Sequence, residues 1–223
     1  MMEQNNFLDQ VRDNMGLWCG ANCVGADLAA AAGTAITNKL RAISILPGAI
    51  TQLWPWIENT NVKIITRFMV DKSPDDAVMS DLSSRITGAF RDGADGAIVF
   101  VRARDMDRFV SELKFVRDDL FFNKTLSVGI DVNEINHDDW ENVFGALRAV
   151  RADSLTLFLS HDDGDKSDFV GRVYAMLNTD MGDWHGELHF MLGENAARID
   201  QSFRLVEQLR HDTVSKTLFW IDN

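Results

Sequence analysis

The chain has 223 residues, 46% of them hydrophobic and 25% charged, a balance that suits a globular protein with a sizeable core and excludes a disordered one. A formal net charge of -12 and a sequence pI near 4.7 repel phosphate backbones and anionic lipid surfaces, so neither nucleic acid nor membrane is an expected partner. Two cysteines, Cys19 and Cys23 in CGANC, are too few for a disulfide framework or a four-ligand zinc site, which excludes the small disulfide-stapled class.

The amino end, MMEQNNFLDQVRDN, is polar, with neither the basic start nor the apolar run of a secretory signal; a reduced, cytoplasmic protein is expected. A helix is predicted over NNFLDQVRDN. The strand GLWCGANC then leads into the helix ADLAAAAGTAITNK, and LRAISILP into GAITQLWPWIENT. VKIITRFMV precedes SPDDAVMSDLSSRITGAFRDG, ADGAIVFVRA precedes DMDRFVSELKFVRDDL, and KTLSVGIDV precedes DDWENVFGALRAV. DSLTLFLS with SDFVGRVYAML, and GELHFML with AARIDQSFRLVEQLRH, continue the alternation to a last strand, KTLFWID.

Strand and helix alternate through the whole chain, at a length close to the roughly 250 residues of a (β/α)8 barrel. The predicted fold is therefore α/β: one (β/α)8 TIM barrel over residues 1–223, with a helix before strand one and none after strand eight. Ser73 before Pro74, and Asn136 before Asp138 and Asp139, mark helix starts. The opening helix is the natural cover for the outer face of strand eight; otherwise a partner subunit must supply it. Trp54 and Trp56 in LWPWIE also suit burial against the barrel or against another subunit, so a homo-oligomer is expected. An open doubly wound sheet is the alternative, but its glycine fingerprint is absent; Gly20 and Gly25 in GANCVGAD read as turn residues, and no cofactor is called for.

Strand residues of a barrel point alternately to the interior and to the helices. In the third strand Ile64, Phe68 and Val70 face helices, which leaves Ile65, Arg67, Met69 and Asp71 inside. The fourth turns Ile98, Phe100, Arg102 and then Arg104 inward, and the fifth Ser127, Gly129, Asp131 and Asn133. Thr156, Phe158 and Ser160 are the inward residues of the sixth, and Glu187, His189 and Met191 those of the seventh. Unpaired charges inside a barrel are costly, so Arg67, Asp131 and His189 must satisfy one another or meet a ligand.

The stretch AISILPGAITQLWPWIENTNVKIITRF, followed by AFRDGADGAIVFV, resembles the second to fourth strands of deoxyribose-phosphate aldolase-type barrels. Pro47 after the second strand, a VKI third strand and the DGAD turn at Asp92–Asp95 carry the resemblance, which covers about half of the chain. It implies the barrel fold and, in that family, Schiff-base chemistry with a lysine on strand six, another on strand seven and an acid on strand four. Here those strands read SLTLFLSH, ELHFMLGE and GAIVFVRA, with no lysine, so no trappable imine is expected. Lys63, Lys124 and Lys216 begin their strands, at the stability face; Lys72 and Lys166 are on the right side but read as solvated loop lysines.

At the carboxyl end of the strands, Arg67, Arg102 and Arg104 are the expected holders of an anionic substrate group, with Asp71 and Ser160 beside them. Asp131 is the expected general base or orienting carboxylate and His189 the proton carrier. The expected partner is a small anionic metabolite, and the expected reaction lyase-like (aldolase-like) or isomerase-like without a Schiff-base lysine. Two alternatives stay open: a barrel kept for binding or assembly, and a metal-dependent enzyme using His161, Asp162, Asp163, His189 and Glu194. SHDDGDKSD also reads as an acidic solvated loop, and Cys19 and Cys23 as small buried hydrophobes.

Overall fold

Strands buried on both faces need apolar residues at nearly every position, and the chain supplies eight such runs. The computed structural model describes residues 12–69, 76–119, 123–159, 168–192 and 196–223. In it β1 (Met15–Trp18), β2 (Ala42–Ile45), β3 (Lys63–Met69), β4 (Gly96–Val101), β5 (Thr125–Asp131), β6 (Ser154–Phe158), β7 (Glu187–Met191) and β8 (Thr217–Asp222) pair in chain order. All pairs are parallel, and β8 closes on β1 to complete the barrel. The crossovers carry α1 (Ala26–Thr37), α2 (Ile50–Ile57), α3 (Asp76–Arg91), α4 (Met106–Asp119), α5 (Trp140–Val150), α6 (Phe169–Asn178) and α7 (Ala196–Leu209).

The period of two sorts the strand side chains into two separate cores. Ile43, Ile64, Phe68, Val99, Leu126 and Phe190 join the large cluster between sheet and helices. Ala42, Ile98, Phe100, Leu218 and Trp220 form a second cluster inside the barrel. Helices answer with matching stripes: α1 buries Leu28, Ala31, Ala32 and Ala35, a spacing that lays one Ala-rich face on the sheet. In α5 the buried Trp140, Val143, Phe144, Leu147 and Val150 do the same, and Arg151 ends the helix in the left-handed conformation.

The first strand is shorter than GLWCGANC suggests. It stops at Trp18; Cys19 adds one more bond to Ser44 O at 3.0 Å, and the Cys23 amide then folds back on Gly20 O at 3.2 Å. The Cys19 carbonyl, just before this turn, accepts a bond from Arg67. The helix expected over NNFLDQVRDN lies outside the described residues, apart from a short 3-10 turn at Arg12–Asn14. On β8 the outward Phe219 stacks on Phe190 with ring centroids 5.4 Å apart and meets Phe203 of α7 at 6.3 Å. Part of the cover assigned to an opening helix or partner subunit therefore comes from α7, because the helix before β8 packs beside it.

Candidate functional site

Near the carboxyl end the barrel interior is closed by a layer of apolar side chains. Register sets Phe158, Met191 and Trp220 side by side on β6, β7 and β8. Phe100 of β4 meets Phe158 edge to face at 5.0 Å, Trp18 of β1 meets Phe100 at 5.9 Å, and Trp18 meets Trp220 at 6.0 Å. Glycines make room for the rings: a Cβ on Gly129 would lie 2.4 Å from the Phe100 ring, and one on Gly16 2.7 Å from Trp220. Trp18, Phe158 and Met191 are only half-buried, so this layer is the floor of a mouth.

Arg67, from β3, lies at the edge of that floor and is 6% exposed. Its Nη1 donates to the Ser44 carbonyl at 2.9 Å and to Ser44 Oγ at 3.3 Å, its Nη2 donates to the Cys19 carbonyl, and its guanidinium sits 4.3 Å over the Trp18 ring. Among the described residues no carboxylate stands within ion-pair distance of it. Burial lowers the Arg67 pKa to about 10, with the Cys19 and Cys23 thiols acting in the opposite sense, so it stays cationic at neutral pH. Burial, together with Cys23, pushes the Cys19 thiol up to about 12 against the opposing charge of Arg67; Cys19 is a protonated, fully buried thiol.

Asp131 ends β5, is 6% exposed and accepts the Asn133 amide at 2.9 Å. No cation among the described residues pairs with it. Arg102, half-buried just after β4, falls abreast of Asp131, since Val101 pairs with Ile130 in the register before it. The rim on this side is built: Glu134 accepts the Ala103 amide at 3.0 Å, and Arg172 of α6 donates to the carbonyls of Val132 and Ile135. Arg104 stands apart from the interior. It occupies the 3-10 turn Ala103–Asp105 with a side chain 71% exposed, 3.9 Å from Asp105, at a groove between α4 and α5. A turn after Arg102 breaks the strand alternation that placed it inward. Asp71 and Ser160 lie outside the described residues, as do His161, Asp162, Asp163 and Glu194.

His189 faces the interior as alternation requires, but beneath the floor. Its neighbours in the register are Thr156 and Leu218, one inward position below Phe158, Met191 and Trp220. The ring meets Trp220 edge to face at 6.1 Å, and Nε2 lies 3.2 Å from Glu187 Oε2, toward the amino end. Arg41 closes the same network with bonds of 3.0 and 3.1 Å to Glu187. Burial holds the His189 pKa below its ordinary 6.5, outweighing the hydrogen bond and charge of Glu187. Burial acts to raise the Glu187 pKa, but His189 and Arg41 together take it below its ordinary 4.5.

Arg67, Asp131 and His189 thus do not satisfy one another: backbone carbonyls hold the first, the Asn133 amide meets the second, and Glu187 binds the third. Arg67's long side chain reaches toward β1 and β2, whereas His189 takes its nearest carboxylate, two residues back on its own strand. Trp18, Trp220 and Arg41 were not singled out from sequence. Extending the alternation to β1 and β8 finds both tryptophans; nothing local marks Arg41, whose partner is 146 positions away.

Among the described residues no helix is long and apolar enough to cross a membrane. No protein-family model matches the sequence, and no curated protein matches it. Solved structures do match. A candidate deoxyribose-phosphate aldolase from Toxoplasma gondii ME49 superposes with a TM-score of 0.78 at 14% identity, covering 100% of this chain and 94% of that one. The corresponding candidate from Coccidioides immitis gives 0.72 at 10% identity, over 95% and 81%. The tetrameric deoxyribose phosphate aldolase from Aeropyrum pernix gives 0.68 at 11% identity, over 97% and 91%. At these identities the likeness is one of fold: the chain is a (β/α)8 barrel resembling the deoxyribose-phosphate aldolase type, with no lysine on β6 or β7.

Proposed function

We propose that the carboxyl end of the barrel binds a small anionic metabolite, with Arg67 and Arg102 facing the anion and Asp131 orienting the bound molecule or acting as its general base. The observation that carries this reading is Arg67: a cation 6% exposed, at the edge of the aromatic floor, with no carboxylate partner among the described residues. Two carbonyls and the Trp18 face soften the cost of burying that charge but do not neutralise it, and an arriving anion would. A reaction run here is lyase-like or isomerase-like and proceeds without a Schiff base, since β6 and β7 hold no lysine. His189 is left out of the reacting groups, a choice supported by its bond to Glu187 below the floor.

Calorimetric titration with inorganic phosphate and with short carboxylates tests the reading. Arg67→Gln should weaken the anions that bind by about tenfold or more, and Arg67→Lys should not restore them, because an ammonium cannot keep the two carbonyl bonds and the ring contact together. Equal affinities in the wild type and Arg67→Gln would remove the proposal.

A further inference from the structure

The outer helices of a barrel normally turn charged side chains to water. On α4 the exposed positions include Asp107, Arg108, Lys114 and Asp118; on α3 Asp81 pairs with Arg85, and on α7 Asp200 pairs with Arg204. Helices α1 and α2 depart from that pattern. Between Asp27 and Glu58 the chain holds no carboxylate, and its only charges are Lys39 and Arg41, in a protein of net charge -12. The two helices pack against each other, and their exposed positions include Ala30, Gly33, Thr34 and Thr37 on α1 and Thr51 and Gln52 on α2.

Large apolar side chains are exposed along the same stretch: Ile36 of α1 is 39% exposed and Trp56 of α2 is 59% exposed. Ile50, Leu53 and Ile57 form the buried side of α2, and the helical step of about 100° puts Trp54 and Trp56 on opposite flanks of it. Trp54 leans on the turn after α3, where a Cβ on Gly93 would come within 2.4 Å of its ring, so Trp56 takes the other flank, on the side of α1. A Cβ on Gly33 would meet nothing within 4 Å, which leaves α1 a shallow, uncharged strip that another molecule can approach closely. Two chains at -12 repel each other most where carboxylates face carboxylates and least across a face that has none. The α1–α2 face is of the second kind, and it offers apolar surface to bury.

We infer that a second copy of this chain docks on α1 and α2 about a two-fold axis, with the Trp56 indole of each copy lying on the α1 strip of the other. Two-fold symmetry makes that contact twice, and a tryptophan seated against small side chains is the kind of anchor that dominates an interface.

Sedimentation of the full chain tests the proposal. At about 50 µM the wild type should sediment at twice the 25.1 kDa mass of the chain, and the association should tighten as salt rises from about 20 mM to about 500 mM, because screening relieves the repulsion between copies. Trp56→Glu and Gly33→Glu place a carboxylate on the face at exposed positions and should each weaken association about tenfold or more. Gly33→Glu also replaces a poor helix former by a good one, so loss of the dimer there cannot be put down to unfolding. Phe115→Glu, on the charged outer side of α4 and 59% exposed like Trp56, should leave association unchanged. A wild type that stays monomeric, a dimer that survives both Trp56→Glu and Gly33→Glu, or one that Phe115→Glu splits equally well would overturn the proposal.

Discussion

The two ends of the barrel handle charge in opposite ways. At the amino end guanidinium groups meet carboxylates: Arg41 grips Glu187, and Arg117 grips Asp153 through bonds of 2.8 and 3.0 Å, while Lys124 donates to the Ala94 carbonyl at 2.6 Å. Asp153 also accepts the Leu126 amide, so the pairs clamp the strand starts. At the carboxyl end Arg67 and Asp131 are equally buried, yet neither has an opposite charge among the described residues. Ion pairs among the described residues therefore gather at the amino end, the end this architecture uses for stability, and the anion-binding proposal rests on the contrast.

The aromatic floor keeps the two ends apart, so removing it is the strongest way to break the comparison. Trp220→Ala empties a fully buried site and should cost about 3–5 kcal/mol, read from urea unfolding, while exposing His189 to solvent from above. Gly129→Ala drives a methyl into the Phe100 ring and should cost about 1–3 kcal/mol by the same measurement. Glu187→Gln tests the closed end: it should lower stability by about 1–2 kcal/mol, a figure discounted for the partial exposure of the carboxylate, and leave anion affinity at the mouth unchanged. Arg67→Gln should show the reverse, a stability change within about 1 kcal/mol and a loss of anion affinity. Should Glu187→Gln abolish anion binding, the two ends are coupled and their separation is wrong.

The smallest effect is on pH dependence. Because the folded-state pKa of His189 lies below its ordinary 6.5, the unfolded chain takes up that proton first as the pH falls. Stability from this site is therefore complete above about pH 6.5 and is lost progressively below it. Glu187, also depressed, adds a second loss as the pH drops below its ordinary 4.5. Urea midpoints measured between about pH 7 and about pH 5.5 should fall in the wild type and flatten in His189→Gln. A wild-type slope retained in His189→Gln would show that another group sets it.

How far the site could be read beforehand follows from the range of the forces involved. Alternation is local, so it correctly turned Arg67, Asp131 and His189 inward, and it failed for Arg104, where the strand had already given way to a 3-10 turn. It does not specify height. His189 and Asp131 both face the interior, but the register of β5 to β8 sets the histidine below Phe158, Met191 and Trp220 and the aspartate beside Phe158. Partner choice was equally out of reach: Arg67 could have met Asp131, and its length and direction take it instead to carbonyls on β1 and β2.

The sequence by itself determined the eight strands, their order and the inward or outward face of the residues within them. Period-two runs bounded by turns, alternating with helices that bury one apolar stripe, have one economical closed solution in a chain of this length. Only the tertiary structure decided which inward residues share a level, which charges find partners and where the interior is sealed. Those outcomes depend on strand stagger and on contacts between residues far apart in the chain, Trp18 with Trp220 and Arg41 with Glu187 among them, and no local pattern encodes such distances.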